Sequence, residues 1–169
     1  MLKSFKVSLF ILLGACFIFN GCAQTKQYTP RSVTGNYHLA GLPSNVVAAQ
    51  VNDFRPDSTL SDGLHNVLKG QVMASLSSEP SQELSKRYIL SVDIIEHRSF
   101  FTLDNWNAST HFRIKLADES GKILGQWDAM GTAQRSNMWG YATADAVGQD
   151  SYNIAVSDMM SILSAVSVR

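Results

Sequence analysis

The chain has 169 residues, 45% apolar residues, and 14 Lys and Arg against 14 Asp and Glu. This length has room for one domain, and the apolar content argues against general disorder. The balanced charge lacks the electrostatic footprint of a nucleic-acid-binding protein, and no polybasic patch favours anionic lipid. Both cysteines, Cys16 and Cys22, lie near the N-terminus, which excludes a CxxC redox site or a zinc-thiolate site from the rest of the chain.

The first 21 residues have the pattern of an export signal. Lys3 and Lys6 precede an almost entirely apolar run over residues 7–19. This run is too short for a membrane-spanning helix, which needs about 20 residues. Removing residues 1–21 would leave 12 basic and 14 acidic residues, a net charge of −2. We therefore predict a signal peptide over 1–21 and a mature chain that does not span a bilayer.

The end of this signal resembles the bacterial lipobox, in which a cysteine after Gly or Ala is acylated and becomes the new N-terminus. Gly21 and Cys22 match that pattern, whereas Phe19 and Asn20 are looser than its usual residues. The resemblance implies a lipid anchor on Cys22, and several acyl chains hold a protein to a membrane stably.

Two alternatives to acylation at Cys22 remain open. Cys16, after Leu13-Gly14-Ala15, matches the lipobox better residue by residue, but it would leave only residues 7–12 as the apolar segment. That segment is shorter than a signal normally has, so Cys22 is favoured. The other alternative is ordinary secretion with an unmodified cysteine.

The residues after Cys22 indicate a destination and a tether. Position +2 is Ala23 rather than Asp, which by resemblance to enterobacterial lipoproteins implies the outer membrane, on its periplasmic face. Residues 22–44 are rich in Gln, Thr, Ser, Gly and Pro without apolar periodicity, so we expect a flexible tether. A single periplasmic domain is predicted over residues 45–169.

Apolar periodicity predicts six elements in the order β-α-β-β-β-α. Alternating residues indicate the strands, and spacings of three and four indicate the helices. The predicted elements cover residues 46–54, 58–76, 88–98, 108–116, 123–134 and 144–166. Each helix has one apolar stripe, so the simplest α+β fold lays both helices on one face of a four-stranded, mainly antiparallel sheet. Gly125 and Gly131 are expected to mark bulges.

The second face of this sheet is expected to be polar. We expect it to be solvated or to make contacts, and we predict that Asp93 and Arg113 pair across neighbouring strands. The residues assigned to this face are Asp93, His97, His111, Arg113 and Lys115.

Two predicted loops, over residues 99–107 and 135–141, should emerge at the same end of the meander because consecutive strands alternate in direction. Together they contain a cluster of large apolar residues, and exposed clusters of this kind mark partner or ligand surfaces. The predicted binding residues are Phe100, Phe101, Trp106, Met138, Trp139 and Tyr141. The alternative is that these side chains fold inward and cap the core.

The remaining polar residues do not form a recognisable catalytic or metal motif. His97 and His111 could share a face with Asp93, but a zinc site needs more ligands, and HxH and HExxH spacings are absent. No GxSxG elbow or Gly-rich phosphate loop is present. Asp145 and Asp150 are expected on the solvated side of the last helix, and Asp158 at the edge of its apolar stripe. We therefore expect no catalytic residue, metal or cofactor.

The layout resembles that of small Gram-negative envelope lipoproteins. The run from Ala142 to Val147, at the start of the last helix, is similar to that of YajG-type lipoproteins, and the layout also resembles auxiliary lipoproteins of ABC-type lipid transport. This resemblance implies a non-enzymatic accessory subunit that binds an envelope protein. The alternatives are a lipid- or glycan-binding module that uses the same aromatic residues, and a hydrolase.

Overall fold

The computed structural model describes residues 29–33, 46–56, 63–76 and 87–166. The signal, Cys22 and most of the predicted tether lie outside these ranges. Within them, the six elements follow the predicted order: β1 (Val46–Asp53), α1 (Leu64–Ser75), β2 (Tyr88–Thr102), β3 (Asn105–Asp118), β4 (Ile123–Ser136) and α2 (Ala144–Ala165). Neither described helix has the length and apolar character needed to cross a bilayer.

The sheet order is β1-β2-β3-β4. β1 and β2 are parallel, and β2, β3 and β4 form an antiparallel meander. A parallel pair of consecutive strands needs a crossover connection, and α1 lies within that connection. The prediction of an α+β fold with a mainly antiparallel four-stranded sheet is therefore confirmed.

The core lies between one face of the sheet and the two helices. Alternate residues of the strands point to this face, and the apolar stripes of both helices cover it. We call it the helix face and its opposite the free face. The central core residues are Leu64, Leu68, Val72, Leu90, Val92, Ile94, Phe112, Ile114, Tyr152, Ala155, Val156 and Met159.

Strands β2 and β3 are longer than their hydrophobic alternation predicts. The predicted loop over 99–107 is instead strand on both sides of a two-residue turn, Leu103 and Asp104. Phe101 pairs with Trp106, and Thr102 pairs with Asn105. Aromatic residues and Thr favour extended structure, so the ladder continues to the turn.

A bulge in β2 changes which residues face the helices. The register with β3 shifts between Ile94 and Glu96, and one extra residue reverses the facing of every later side chain. His97 is consequently buried on the helix face, whereas Asp93, before the bulge, lies on the free face. The prediction that His97 shares the face of Asp93 is therefore wrong.

The two strand glycines have different roles. The register of β3 and β4 shifts beside Gly125, which confirms the predicted bulge there, whereas Gly131 pairs regularly with Thr110. At Gly131 the backbone of α2 comes very close. A Cβ built on Gly131 would lie 2.0 Å from the Ser151 carbonyl oxygen and 2.6 Å from the Ala155 nitrogen. The absence of a side chain therefore permits helix–sheet contact at this position, where no bulge occurs.

Two of the three acidic residues of α2 bind β4. An oxygen of the Asp158 carboxylate accepts a hydrogen bond from the Met130 backbone N–H, at 3.0 Å. Asp150 forms an ion pair with Arg135, with an N–O distance of 2.6 Å. These exposed or partly exposed side chains thus fasten the helix to the outer strand of the meander.

Residues 29–33, which we call the strap, lie against both helices. Gln71 of α1 accepts a hydrogen bond from the Val33 N–H at 2.8 Å and donates one to the Val33 carbonyl at 3.1 Å. Gln149 of α2 makes the same pair of bonds with Arg31, at 2.8 and 3.0 Å. This part of the predicted tether is therefore attached to the domain, and the remainder stays a prediction.

The contact at Gly131 predicts a large effect of one methyl group. We expect Gly131→Ala to lower the free energy of unfolding by about 2–3 kcal/mol, because α2 must move away from the sheet. Gly70→Ala is the control, since a Cβ there meets nothing within 4 Å, and it should stabilise α1 by up to about 1 kcal/mol. Urea unfolding measures both variants, and an unchanged midpoint for Gly131→Ala would contradict this account.

Candidate interaction site at one end of the sheet

The turn between β2 and β3 and the loop over residues 137–143 meet at one end of the sheet. The Asn137 N–H donates to the Asp104 carbonyl at 2.6 Å. The Asn137 side-chain oxygen accepts from the Ala142 N–H at 3.0 Å. Thr143 caps α2 by accepting from the Ala146 N–H at 3.2 Å. These bonds hold the loop at both ends and fix its position relative to the turn.

Four large apolar side chains project from these two segments. Leu103, Met138, Trp139 and Tyr141 are 90%, 73%, 81% and 88% exposed, respectively. We call them the aromatic tip. Single exposed apolar residues are ordinary on protein surfaces, whereas several together are unusual.

The structure divides the six predicted binding residues among three places. Met138, Trp139 and Tyr141 belong to the aromatic tip. Phe101 and Trp106 pack edge to face, with ring centroids 5.2 Å apart, and both are partly buried. Phe100 lies on the free face, where the Arg98 guanidinium stands 5.3 Å above its ring. The predicted single cluster is therefore wrong, and the inward alternative describes only Phe101 and Trp106.

Leu103 is the tip residue that the sequence reasoning missed. It occupies the two-residue hairpin turn with φ +52°, a conformation that such turns require and that a β-branched or bulky residue rarely adopts. The signal that could have identified it is the length of the turn, which becomes visible only when Phe101 and Trp106 are recognised as paired strand residues.

A recess of about 600 Å³ opens on the free face next to Phe100. Its lining combines the polar side chains of Glu96, Arg98 and Ser109 with apolar surface from Phe100 and two alanines. Ser109 donates a hydrogen bond to the Glu96 carboxylate at 2.8 Å, and Glu96 also pairs with Arg98. The recess therefore presents charged, hydrogen-bonded and apolar groups side by side.

The free face carries an ion-pair network that differs from the prediction. Asp93 and Arg113 are opposite in register, but Asp93 binds Lys115 at 2.7 Å and accepts from Asn52 at 2.8 Å. Arg113 turns towards β4 and contacts Asp128 at 3.2 Å. The predicted pair of Asp93 with Arg113 is therefore wrong, because each side chain has a partner on another strand or at a diagonal position.

The same contacts set the ionisation of Asp93. Burial raises the pKa of its carboxyl, but the hydrogen bonds from Asn52 and Lys115 and the charge of Lys115 outweigh burial, so the pKa lies below its ordinary value. The carboxylate is nearly inaccessible to solvent and the Lys115 side chain is partly exposed. Asp93 is therefore held as a charged group within the sheet.

The two histidines considered as metal ligands lie on opposite faces. His111 bonds to Asp128 on the free face at 2.8 Å, whereas His97 bonds to the Thr110 hydroxyl on the helix face at 2.9 Å. They cannot bind one ion with Asp93. Within the described part of the chain, three or more His, Cys, Asp or Glu side chains do not gather as a metal site.

A buried chain of polar side chains ties β2 and β3 to α2. Beyond His97, the Thr110 hydroxyl bonds to that of Ser151 at 2.9 Å, and Ser151 donates to the Gly148 carbonyl at 3.0 Å. These hydroxyls are almost fully buried, so a substrate cannot approach them. Ser99 adds a bond to the Ala144 carbonyl at 3.0 Å. These buried hydrogen bonds therefore position the first turns of α2.

Tyr152 is a core residue that lies next to this group of polar side chains. Its ring meets Phe112 edge to face, with centroids 6.1 Å apart. Burial raises the pKa of its hydroxyl above the ordinary value, and this oxygen has no hydrogen-bond partner among the described residues. Tyr152 therefore contributes mainly packing to the core.

The network around Asp93 predicts a pH-dependent contribution to stability. Because the pKa of Asp93 in the folded state lies below its ordinary value, the stabilisation is present above about pH 4 and is lost as the pH falls through the folded pKa. We expect Asp93→Asn to lower the free energy of unfolding at neutral pH by about 1–3 kcal/mol. Urea unfolding at a series of pH values should show the difference shrinking in acid.

A suitable control for this measurement is Glu119→Gln. Glu119 forms an ion pair with Arg87 at 3.5 Å, and both side chains are more than half exposed, so its loss should change stability little at any pH. A penalty for Asp93→Asn that is the same in acid and at neutral pH would contradict the ionic account.

The comparisons with known proteins concern the whole domain. No family model and no curated protein sequence matches the chain. A Xanthomonas campestris protein of the DUF330 family is similar in structure, with a TM-score of 0.48, 15% identity, and coverage of 82% of this chain and 93% of that one. The dodecameric PelC of Paraburkholderia phytofirmans has a TM-score of 0.44 and 16% identity, and the overlay covers 87% of this chain and 98% of PelC. Lipoprotein GNA1162 of Neisseria meningitidis has a TM-score of 0.31 and 12% identity, with coverage of 68% and 99%.

Proposed function

We propose that the protein is a non-enzymatic accessory subunit of the cell envelope. In this proposal it is anchored through Cys22 to the periplasmic face of the outer membrane and binds an envelope protein through the aromatic tip. The observation that carries the proposal is the exposure of Leu103, Met138, Trp139 and Tyr141 on two segments held together by the bond from Asn137 to Asp104.

The chemistry of the tip favours a protein partner. Trp and Tyr are the residues most enriched in the energetically dominant parts of protein interfaces. Burying Trp139 and Tyr141 would remove about 300 Å² from water, worth about 7 kcal/mol before the costs of association. Because hydrogen bonds already hold the loop, less conformational entropy is lost on binding than with a free loop.

The alternatives have less support. A ligand module needs a concave site of about 300 Å³ or more, whereas the tip side chains project outward. The described recess next to Phe100 is large enough, but Phe100 is the one predicted binding residue that lines it. For a hydrolase, the Ser151 and His97 side chains would have to be accessible, yet both are buried under α2. Non-covalent contact remains the activity that the tip suits best.

Anchoring makes a separate prediction. In cells given a clickable palmitate analogue, the native chain should be labelled and recovered with the outer membrane. Cys22→Ser should abolish the label, because it removes the acceptor thiol, whereas Cys16→Ser should leave it unchanged. Label that is lost with Cys16→Ser and kept with Cys22→Ser would transfer the anchor to the alternative cysteine.

The partner is tested by in-cell crosslinking and recovery of the full-length lipoprotein. We expect one envelope protein to be enriched with the native chain and lost when Met138, Trp139 and Tyr141 are changed to Ser. Phe101 and Trp106 are left unchanged, because their partial burial would mix stability with binding.

The matched control changes Met73, Ile123 and Met130 to Ser. These are large apolar residues about half exposed and outside the tip, so their replacement removes apolar surface from three other places. Both variants must reach the same membrane at the native level. Equal recovery of the partner with the two variants would exclude the tip as its binding surface.

A further inference from the structure

We infer that the strap orients the domain so that the aromatic tip lies at the surface of the membrane that holds the lipid anchor. The partner of the tip is then a protein embedded in that membrane, contacted where the protein meets water. This inference rests on the proposed acylation of Cys22 and on the proposed role of the tip. It adds where the tip lies and therefore which class of envelope protein it can reach.

The direction of the strap follows from its contacts with α1. Val33 is bound by Gln71, in the second half of the helix. Thr29 lies beside Gly63, the residue before the helix, where an added Cβ would be 2.6 Å from Thr29 Cγ2. From Val33 back to Thr29, the chain therefore runs towards the start of α1.

The start of α1 lies beside the C-terminal end of β1, level with the middle of β2. β1 runs parallel to β2 and ends with Asp53 opposite Ile94, and His65 in the first turn of α1 bonds to the Val51 carbonyl at 2.8 Å. β2 continues in the same direction to Thr102, at the tip. The N-terminal end of the strap thus points towards the aromatic tip.

The length of the preceding chain sets how far the anchor can be. Seven Cα steps separate Cys22 from Thr29, which span at most about 25 Å whatever their conformation. The eight residues of β2 beyond Ile94 cover about 25 Å as well. The anchor can therefore reach the level of the tip. Without the strap contacts, the chain from Cys22 to Val46, the next described residue, could span up to about 80 Å.

The two ends of the domain differ in a way that selects the tip. The opposite end carries the turn between β3 and β4, where Glu119 and Lys122 are exposed and Asp118 binds the turn backbone. Ion-rich turns favour bulk water, whereas Trp and Tyr are enriched at membrane–water interfaces. The opposite end also exposes Ile123 and Leu124, but among the described residues the exposed Trp and Tyr side chains, Trp139 and Tyr141, belong to the tip.

The composition of the tip favours a protein partner over the lipid itself. Asp104 is exposed in the same turn as Leu103, and a carboxylate opposes insertion below the head groups. Arg135 is the one basic residue in the described segments 99–107 and 135–143, and it is paired with Asp150. These two segments therefore offer no unpaired cation to attract anionic lipid. A membrane-embedded protein offers an apolar surface at the level of the membrane surface, and binding to it does not require Asp104 to enter the lipid.

The test measures whether Trp139 lies at a bilayer surface. Full-length acylated protein, with Trp106 and Trp127 changed to Phe, is reconstituted in vesicles of phosphatidylethanolamine and phosphatidylglycerol that contain a head-group nitroxide lipid. We expect quenching of Trp139 in this protein. Quenching should be lost when Gln71→Ala and Gln149→Ala release the strap, and kept when the exposed residues Gln126 and Gln134 are changed to Ala.

A second variant leaves the folded domain unaltered. A Gly/Ser segment of twenty residues inserted between Gln24 and Thr25 lengthens the chain before the strap, and we expect it to abolish quenching too. Absence of quenching in the native chain overturns the inference. Equal quenching with the strap released also overturns it, because the tip would then bind the bilayer unaided. Both results leave the recovery of a protein partner by the tip as an independent test of the proposed function.

Discussion

Helix α2 approaches β4 so closely at Gly131 that one added carbon atom would overlap the carbonyl oxygen of Ser151. The approach brings the hydroxyl of Ser151 to Thr110 and the Ala144 carbonyl to Ser99. These bonds fix the first turns of the helix against β2 and β3. The loop over residues 137–143 runs directly into α2, so the position of the aromatic tip depends on this helix–sheet contact.

The bulge between Ile94 and Glu96 complements the contact at Gly131. Before the bulge, the helix face of β2 presents Leu90, Val92 and Ile94, and after it, His97 and Ser99. The core is consequently apolar next to the part of β2 before the bulge, and it contains hydrogen-bonded polar side chains next to the part after the bulge. Buried polar groups cost stability unless they are paired, and in return they restrict the helix to one register, whereas apolar packing would tolerate small shifts.

Local patterns in the sequence were enough to predict the elements and the layers of the fold. The alternation of apolar residues in β2 and β3 and the apolar stripes of the helices depend on neighbouring residues. They can therefore be recognised without knowledge of tertiary contacts. Local patterns did not predict the bulge in β2, the length of the turn at Leu103 or the contacts of the strap. A single-residue register shift leaves the composition of the strand unchanged, yet it reversed the facing of His97. The aromatic cluster failed for a related reason, since Phe100 and Phe101 are consecutive strand residues and must point to opposite faces.

The hydrogen bond that Asp158 accepts from the Met130 N–H affects whether another chain can pair with the edge of the sheet. β4 is an outer strand of the sheet, and an unpaired N–H on such a strand is a template for pairing with a second chain. For a chain confined to a membrane surface as proposed, collisions between sheet edges are frequent, because diffusion is restricted to two dimensions. The Asp158 carboxylate occupies this donor, and its charge discourages another strand from aligning there. The same side chain thus fastens the helix and removes one backbone donor from the middle of this edge strand.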